Sequence, residues 1–165
     1  MVEYWDILDK DGNFTGRRMK RERFNHFKSG QYHLVVHIWI KNSKGEYLVQ
    51  KRSAHRKPMP GEWAATGGSV QSGEDSRTAA IRELQEELGI RVRENEIRYG
   101  GRLTRKNSFV DLWHVGVDAP VTSLVLQTEE VQEAKWVTKE ELIGMIEQNQ
   151  FHNYGKAYFD AVLAE

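Results

Sequence analysis

The sequence predicts one α/β domain with a mixed β-sheet sandwiched between helices and an N-terminal β-hairpin extension. The first observation is the order of the segments, which runs β-rich, helix, β-rich, helix, helix along 165 residues. The second is a strand-like segment at 32–40, rich in β-branched and aromatic residues and without internal glycine or proline. The third is that the sequence contains no repeat and no long linker. We therefore expect one domain over residues 1–165, with the hairpin extension at 1–30.

Apolar segments between turn signals predict the strands. In the N-terminal segment, Trp5, Ile7 and Leu8 precede a turn at 10–13, which predicts a hairpin. A second turn at 42–45 separates the buried segment from the strand that follows it. The strands after the hairpin are expected at 32–40, 46–52, 63–66, 97–104, 109–117 and 131–137.

Three helices are predicted from capping residues and apolar spacing. Ser72, with Asp75 three residues later, marks the start of the first helix, and Gly89 marks its end. Thr138 and Glu141 form a capping box at the start of the second helix. Apolar residues recur at helical spacing in the C-terminal tail, which predicts the third. The predicted ranges are 72–88, 138–148 and 153–163.

The composition excludes several classes of function. The chain has no cysteine, which excludes a disulfide framework, cysteine-ligated zinc and thiol catalysis. Its 24 Lys and Arg balance 24 Asp and Glu, so it lacks the basic excess typical of proteins that coat nucleic acid or anionic membranes. The longest apolar stretch, at 34–40, is too short to span a bilayer, and the N-terminus lacks a signal-peptide pattern. We expect a cytoplasmic protein without membrane association or extended nucleic-acid contacts.

The first predicted helix carries three glutamates in one narrow sector. At ~100° per residue, Glu86 lies about 60° to one side of Glu83, and Glu87 lies about 40° to the other. Like charges at this spacing each cost roughly 0.2–0.5 kcal/mol, and the helix dipole disfavours acids near the C-terminus. A hard divalent cation such as Mg²⁺ would relieve the repulsion. The alternative is an ordinary solvated acidic face, which a bare E-x-x-E-E pattern does not exclude.

The complete string around these glutamates is more specific. Residues 68–90 follow the pattern G-x5-E-x7-R-E-U-x-E-E-x-G-U, where U is apolar, at every defined position. The pattern begins at Gly68 and includes Glu74 and Arg82. This is the Nudix box, and the chain resembles the Nudix hydrolases in this segment and, through the order of its strands and helices, over most of its length. The resemblance implies the Nudix fold.

The resemblance to Nudix hydrolases also implies a metal site, with Mg²⁺ or alternatively Mn²⁺ as the cofactor. In the family, the box holds the metal and the enzyme cleaves a nucleoside diphosphate linked to another moiety. A salt bridge between Arg82 and Glu74 would fix the loop against the helix and orient a ligand. Which glutamate accepts a proton stays open between Glu86 and Glu87. The implied catalytic residues are Glu83, Glu86 and Glu87, and the implied metal ligands are these three and the carbonyl of Gly68.

A further glutamate outside the box is expected to take part. Many members of the family use one in the loop before the last strand, and here the segment 128–131, Thr-Glu-Glu-Val, occupies that place. Glu130, or else Glu129, is therefore a candidate catalytic base or additional metal ligand. The alternative is an exposed acidic loop without a catalytic role.

Segments outside the box are similar to the isopentenyl-diphosphate isomerase branch of the same superfamily. These are WDILDKDGNFTG near the N-terminus, Tyr32-His33, and NSKGEYLVQKRSAHRKPMPGEW before the box. The isomerase places a catalytic cysteine just before the box glycine and a metal-binding histidine just after it, where this chain has Gly67 and Ser69. His33 matches one of the isomerase's metal histidines, although a lone histidine in a strand also suits a hydrogen-bonded structural role. We expect a related scaffold with different chemistry.

Candidate substrate-binding residues lie on both sides of the box. Arg52, Arg56 and Lys57 precede the PMPGEW loop and are candidates for phosphate binding, although solvated surface is the alternative for each. Trp113, flanked on its strand by Phe109 and His114, is a candidate for stacking against a base, with burial in the core as the alternative.

The leading hypothesis is an Mg²⁺-dependent Nudix pyrophosphohydrolase. Its substrate would be a small molecule with a diphosphate linkage, either a nucleoside diphosphate derivative or a related organic pyrophosphate. The alternatives are an isomerase of small allylic diphosphates and a non-catalytic module that binds phosphate ligands. Homodimers are common in the family, so the resemblance makes a homodimer one option for the oligomeric state. The loops that select the leaving group lie outside the box, so the motif does not identify it.

Overall fold

The computed structural model describes residues 2–54 and 60–164. Within these ranges the mixed α/β fold is confirmed, and the order of strands and α-helices is the predicted one, except that two strands are present where one was expected at 63–66. The helices are α1 (Ser76–Leu88), α2 (Lys139–Glu147) and α3 (Lys156–Leu163). The strands are β1 (Tyr4–Leu8), β2 (Phe14–Lys20), β3 (His33–Lys41), β4 (Tyr47–Arg52), β5 (Trp63–Ala64), β6 (Thr66–Ser69), β7 (Ile97–Thr104), β8 (Ser108–Gly116) and β9 (Val131–Val137).

Strand β3 is the centre of a mixed sheet because it is paired along both edges. It runs parallel to β8 over its whole length, from the pair His33–Ser108 to the pair Lys41–Gly116. Along its other edge it is antiparallel to β6 and, at its end, to β4. The strand order is β5-β4-β3-β8-β7, with β6 paired to β3 and β9 paired to β4. Residues 36–40 of β3 are buried, as predicted for a central strand.

Helices cover both faces of the sheet. On one face, Val36 and Ile38 of β3 pack in a cluster with Leu84 and Leu88 of α1. On the other face, Trp39 belongs to a second cluster that includes residues of α2 and α3. The sheet is therefore sandwiched between helices, because alternate residues of a strand point to opposite faces.

A gap between β3 and β4 creates the place where the box lies. The two strands form only two residue pairs, at Ile40–Leu48 and Lys41–Tyr47. Beyond this point β5 pairs with β4, and β6 pairs with β3. The segment 63–69 thus fills the gap, and Gly67 of β6 lies opposite β3 and close to α1.

The start of α1 differs from the prediction. Asp75, and not Ser72, caps the helix, since its side chain accepts a hydrogen bond from the N–H of Thr78 at 2.8 Å. Ser72 precedes Gly73, whose φ of 84° is in the left-handed region. The hydroxyl of Ser72 instead donates to Asp6 of the N-terminal hairpin at 2.6 Å. The predicted cap is therefore used in a tertiary contact.

The other helix signals have mixed outcomes. Gly89 ends α1 with a φ of 70°, and Thr138 caps α2 with the predicted capping box, so both are confirmed. Helix α3 begins at Lys156, later than predicted, because Gly155 precedes it with a φ of 100°. None of the helices in the described ranges combines the length and the apolar character needed to cross a membrane.

The predicted N-terminal hairpin is present as the antiparallel pair β1 and β2. It is joined to the rest of the fold at Leu8 and Tyr32, whose backbone groups form two hydrogen bonds of 2.8 and 3.0 Å. The rings of Trp5 and Phe27 both stack on His33, with centroid distances of 4.4 and 4.9 Å. Burial, together with the nearby charge of Arg21, lowers the pKa of His33 to about 4.

This lowered pKa predicts a loss of stability in acid. The unfolded chain takes up a proton on His33 below its ordinary pKa of 6.5, whereas the folded chain resists protonation down to about 4. The free energy of unfolding should therefore fall as the pH drops through this window, by up to about 3 kcal/mol from this residue. A His33→Phe variant keeps a ring for stacking and should lose this dependence, as measured by urea unfolding across the window. The exposed His26→Phe variant is the control, and equal pH profiles for the wild type and His33→Phe would contradict the prediction.

Candidate active site

The site begins at the paired glycines of β6, where α1 approaches the sheet. A Cβ atom on Gly68 would lie too close to a carboxylate oxygen of Glu83, so the glycine leaves room for this side chain against β6. A Cβ atom on Gly67 would collide with the backbone of β3. The two glycines therefore bring the acidic face of α1 against the backbone of β6.

Glu87 is the glutamate most firmly held by the fold. Its side chain is buried, with 3% of the residue exposed, and its Oε1 accepts two hydrogen bonds. The donors are the N–H of Gly67 at 3.2 Å and the Nε2–H of Gln50 on β4 at 3.0 Å. Because the donors lie on β6 and β4, Glu87 ties the helix to both sides of the gap.

Arg82 links the loop before α1 to the acidic face. Its Nε and Nη2 donate to the two carboxylate oxygens of Glu74 at 2.7 and 2.8 Å, a bidentate pair. Its Nη1 donates to Glu83 at 3.0 Å and to Glu86 at 3.1 Å, and its Nη2 reaches the carbonyl of Ser69 at 3.2 Å. The hydrogen bonds to Glu74, with the neighbouring carboxylates, raise the pKa of Arg82, so it stays charged.

The acidic face holds more negative charge than Arg82 can offset. Burial, and then the charges of Glu87 and Glu86, raise the pKa of Glu83 to about 8, although Arg82 acts in the opposite direction. Glu86 is the most open of the three, with 46% of its side chain exposed. Three carboxylates, those of Glu74, Glu83 and Glu86, thus share the guanidinium group of Arg82. The charge of Glu87 acts on Glu83 as well, which favours a further cation.

The fit of this face to a metal ion rests on its chemistry. Among the residues that the structure describes, no group of three or more acidic or histidine side chains is arranged around a common metal position. Arg82 occupies oxygens of Glu83 and Glu86, and hydrogen bonds from Gly67 and Gln50 occupy one oxygen of Glu87. The donors are nonetheless carboxylate oxygens, which suit hard cations such as Mg²⁺. The residues fit such a cation if the side chain of Glu86, which is half exposed, turns away from Arg82.

The N-terminal hairpin supports the loop that carries Glu74. Ser72 donates from its backbone N–H to the carbonyl of Tyr4 at 2.7 Å and from its hydroxyl to Asp6. Asp6 also pairs with Arg18 at 3.2 Å, and Arg18 contacts the same hydroxyl. Sequence reasoning missed this contact because the partners are 66 residues apart.

Removing this support should weaken the fold measurably. An Asp6→Ala variant loses its hydrogen bond from Ser72 and its ion pair with Arg18, so we expect the free energy of unfolding to fall by about 1 kcal/mol. Asp11→Ala is the matched control, since Asp11 lies exposed in the turn of the same hairpin. Urea unfolding measures both variants, and equal stabilities would show that the hairpin contributes nothing through Asp6.

The loop that contains Glu130 docks on the C-terminal end of α1. The N–H groups of Val125 and Gln127 donate to the carbonyls of Leu88 and Glu87 at 3.0 and 3.1 Å. These two carbonyls belong to the last turn of the helix, where carbonyl groups lack N–H donors from the helix itself. The loop is thereby placed beside the box. The position of the candidate base at the end of this loop follows from these bonds.

Within this loop the two candidate glutamates differ in environment. Glu129 is exposed, whereas the Oε2 atom of Glu130 is buried. The backbone carbonyl of Glu130 accepts a hydrogen bond from the N–H of Ser53 at 3.0 Å. Val131, the next residue, pairs with Arg52 at the end of β4. Of the two, Glu130 is therefore the one held near Arg52, and its catalytic role stays a prediction.

The candidates for substrate binding have different outcomes. Arg52 ends β4 and is half-buried, with its backbone N–H bonded to the carbonyl of Glu62 at 2.8 Å. Arg56 and Lys57 lie outside the described residues. The stacking role predicted for Trp113 needs correction, since only 4% of this residue is exposed.

Helix α1 covers Trp113. Its Nε1–H donates to the hydroxyl of Ser76 at 2.9 Å, the guanidinium of Arg77 lies 5.1 Å from its ring, and Tyr99 contacts the ring edge-on. These contacts leave no ring face open for a base. Burial of this large side chain instead stabilises the contact between the helix and the sheet. Phe109, with 3% exposed, is likewise part of the core.

A second cluster near the box was missed by the sequence reasoning. His37 lies on the face of β3 opposite α1, and its Nδ1 is 2.6 Å from the hydroxyl of Tyr158 on α3. The same hydroxyl accepts a hydrogen bond from Nε1 of Trp39 at 2.9 Å. Burial lowers the pKa of His37 to about 3, so this histidine is neutral. The only signal in the sequence was a histidine inside a strongly apolar strand.

Comparison with known proteins agrees with the fold and the box. The family model of the NUDIX domain matches residues 31–159. An uncharacterised Nudix hydrolase of Listeria monocytogenes is 37% identical over 154 residues, which cover 93% of this chain and 90% of the relative. The chain therefore belongs to the Nudix family. In view of the hydrolases among its relatives, its enzyme class is that of the Nudix pyrophosphohydrolases.

Two further similarities extend this comparison. An isopentenyl-diphosphate Δ-isomerase of Escherichia coli is 34% identical over 141 residues, which cover 82% of this chain and 76% of the relative, so the predicted resemblance to that branch is confirmed. The crystal structure of a Deinococcus radiodurans protein matches with a TM-score of 0.78 and 21% identity, over 98% of each chain. At that identity the match shows the shared fold alone.

Proposed function

We propose that this protein is an Mg²⁺-dependent hydrolase that cleaves the diphosphate linkage of a nucleoside diphosphate derivative or a related organic pyrophosphate. The observation that carries the proposal is the packing of Glu83 and Glu87 against the paired glycines of β6, with Arg82 hydrogen-bonded to Glu83. A carboxylate-rich site of this kind suits a cation that binds phosphate oxygens at the same time. We further propose that residues 1–165 act as one domain.

In this proposal Glu83, Glu86, Glu87 and the carbonyl of Gly68 would hold the cation. When bound, the cation would neutralise the diphosphate and lower the pKa of a coordinated water for attack at phosphorus. Glu74 would keep Arg82 against the loop through the bidentate pair, and Arg82 would in turn orient Glu83.

The proton of the attacking water needs an acceptor among this chain's own residues. Glu86 is accessible, which supports it as an acceptor, while Glu87 already accepts two hydrogen bonds at one oxygen. Glu130 is the third candidate, because the loop before β9 docks on the last turn of α1. Arg52, at the same end of the sheet, is proposed to contact a substrate phosphate.

An isomerase of allylic diphosphates is the second candidate function, and the relative from Escherichia coli favours it. Two positions argue against it, since Gly67 and Ser69 stand where the isomerase's cysteine and histidine are expected. His33, the counterpart of a metal histidine, is engaged in ring stacking with Trp5 and Phe27. A direct assay with isopentenyl diphosphate decides between the two chemistries.

A hydrolysis screen tests the proposal. The purified protein is incubated with nucleoside diphosphate sugars, dinucleotides, and nucleoside di- and triphosphates, with Mg²⁺, with Mn²⁺ or with EDTA. We expect release of two phosphate-containing products, or of phosphate or pyrophosphate, from at least one substrate class only when a divalent cation is present. Binding of the cation without hydrolysis of any compound would instead support a non-catalytic module. Hydrolysis that persists in EDTA would contradict the metal assignment.

A further inference from the structure

An arginine without an acidic partner lies on the face of the sheet covered by α3. Arg105 follows β7, and its guanidinium lies 5.5 Å from the ring of Tyr154 and 6.0 Å from the ring of Tyr158. Its side chain is exposed, and among the described residues no carboxylate pairs with it. The two aromatic rings hold the planar guanidinium in place but leave its N–H donors available.

The positive charge of this region is shared by more than one residue. Arg105, His152 and Arg52, in that order, each contribute to the lowered pKa of His37 after burial itself. Arg52 and Arg105 likewise act on Tyr154, whose pKa burial raises to about 12. His152 is itself paired with Glu62 at 2.8 Å, so the two guanidinium groups supply the positive charge that acts on both His37 and Tyr154. Positive charge of this kind favours an anion.

His37 offers a hydrogen-bond donor in the same region. The hydroxyl of Tyr158 accepts the Nε1–H of Trp39, which can only donate, and the hydroxyl's own hydrogen then has Nδ1 of His37 as its acceptor. In the tautomer in which Nδ1 accepts this hydrogen, Nε2 carries the hydrogen of the ring. No described residue accepts a hydrogen bond from Nε2, and 8% of His37 is exposed.

A single glycine separates this donor from the acidic face. Gly67 donates its N–H to Glu87, and a Cβ atom on the same residue would lie 2.8 Å from Cδ2 of His37. Just before it, the N–H of Ala65 donates to the hydroxyl of Tyr154 at 3.2 Å. The segment 65–67 therefore contacts the acidic helix and the aromatic cluster at once, without a side chain larger than threonine between them.

We propose that Arg105 and the Nε2–H group of His37 form an anion-binding subsite. It binds one of the substrate's phosphoryl groups, namely the one that the glutamates of α1 do not hold. The inference rests on the proposed function, which supplies a substrate with two linked phosphoryl groups. The guanidinium fork matches two phosphate oxygens, and the imidazole N–H donates to a third. This subsite binds substrate, so its loss raises KM much more than it lowers kcat.

Equilibrium binding of inorganic pyrophosphate tests the subsite without any turnover. Isothermal titration calorimetry in the presence of EDTA removes the contribution of divalent cations. An Arg105→Met variant keeps the apolar stem on the tyrosine rings and removes the charge, so we expect about 10- to 100-fold weaker binding than in the wild type. Arg105→Lys keeps the charge but not the fork, and should lie between the two. His37→Phe keeps the ring against Gly67 and should weaken binding about tenfold.

The matched control is Arg23→Met, because Arg23 is exposed and its guanidinium also lies over a ring, that of Phe24 at 5.4 Å. This variant should bind pyrophosphate like the wild type. Circular dichroism and thermal unfolding confirm that each variant is folded. The proposal is overturned if the wild type does not bind pyrophosphate, or if Arg105→Met binds as tightly as the wild type.

The outcome is separable from that of the proposed function. If no compound in the screen is hydrolysed but Arg105→Met still weakens pyrophosphate binding, the subsite stands and the hydrolase proposal fails. If a substrate is hydrolysed and Arg105→Met changes neither its KM nor the affinity for pyrophosphate, the hydrolase stands and the subsite fails. Support for both requires weaker pyrophosphate binding together with a raised KM and a nearly unchanged kcat.

Discussion

Replacing Glu87 with glutamine should reduce the turnover of a diphosphate substrate by at least about 100-fold and leave the fold intact. Oε1 of Glu87 accepts hydrogen bonds from Gly67 and Gln50, and the amide oxygen of glutamine can accept both. The substitution therefore removes a negative charge and the proposed metal ligand but keeps both of these hydrogen bonds. We expect the same loss for Glu86→Gln, whose side chain is half exposed. Steady-state kinetics in Mg²⁺ measure the effect.

Two comparisons make this result specific to the acidic face. Glu147→Gln is the control, because Glu147 is an exposed glutamate at the end of α2 and should tolerate the change without loss of activity. Thermal unfolding of Glu87→Gln should match that of the wild type within a few degrees. Unchanged turnover in both Glu86→Gln and Glu87→Gln would remove the metal assignment.

Replacing Arg82 with methionine should lower the free energy of unfolding by about 3 kcal/mol in the absence of divalent cations. The variant loses the bidentate pair with Glu74 and the hydrogen bonds to Glu83 and Glu86. Glu74 is only 12% exposed in its side chain and would be left without its cation. The glutamates on α1 would also repel one another without Arg82 between them.

The dependence of this loss on Mg²⁺ distinguishes a charge effect from a packing effect. If the acidic face binds the cation, added Mg²⁺ should restore part of the stability of Arg82→Met, because the ion takes over the positive charge. Arg91→Met is the control, since Arg91 is exposed just beyond α1. Urea unfolding with Mg²⁺ or with EDTA measures both variants. An equal loss of stability under the two conditions would indicate that Arg82 acts through packing alone.

Sequence reasoning worked best where an interaction is local along the chain. The shared sector of Glu83, Glu86 and Glu87 follows from helical periodicity, which depends only on their spacing. The end of α1 at Gly89 and the capping box at Thr138 are also local, and the structure has both. The ion pair of Arg82 with Glu74 spans eight residues and bridges a loop and a helix that adjoin in the chain.

Sequence reasoning failed where a residue has more than one physically reasonable environment. Trp113 could stack on a ligand or fill the core, and the docking of α1 through Ser76 and Arg77 buries it. Ser72 could cap a helix or bond elsewhere, and the hairpin provides Asp6 as the competing partner. Local patterns do not contain the competing partner, so they cannot decide such cases.

By itself, the sequence determined the fold class, the order of strands and helices, and the glutamates that share one face of α1. Those features depend on periodicity, capping and the spacing of the box. Only the tertiary structure decided that His37 meets Tyr158 across 121 residues, and that Gly67 lies between this pair and Glu87. Such contacts depend on the register of β3 with β6 and on the docking of α3, which are set by packing between segments distant in the chain.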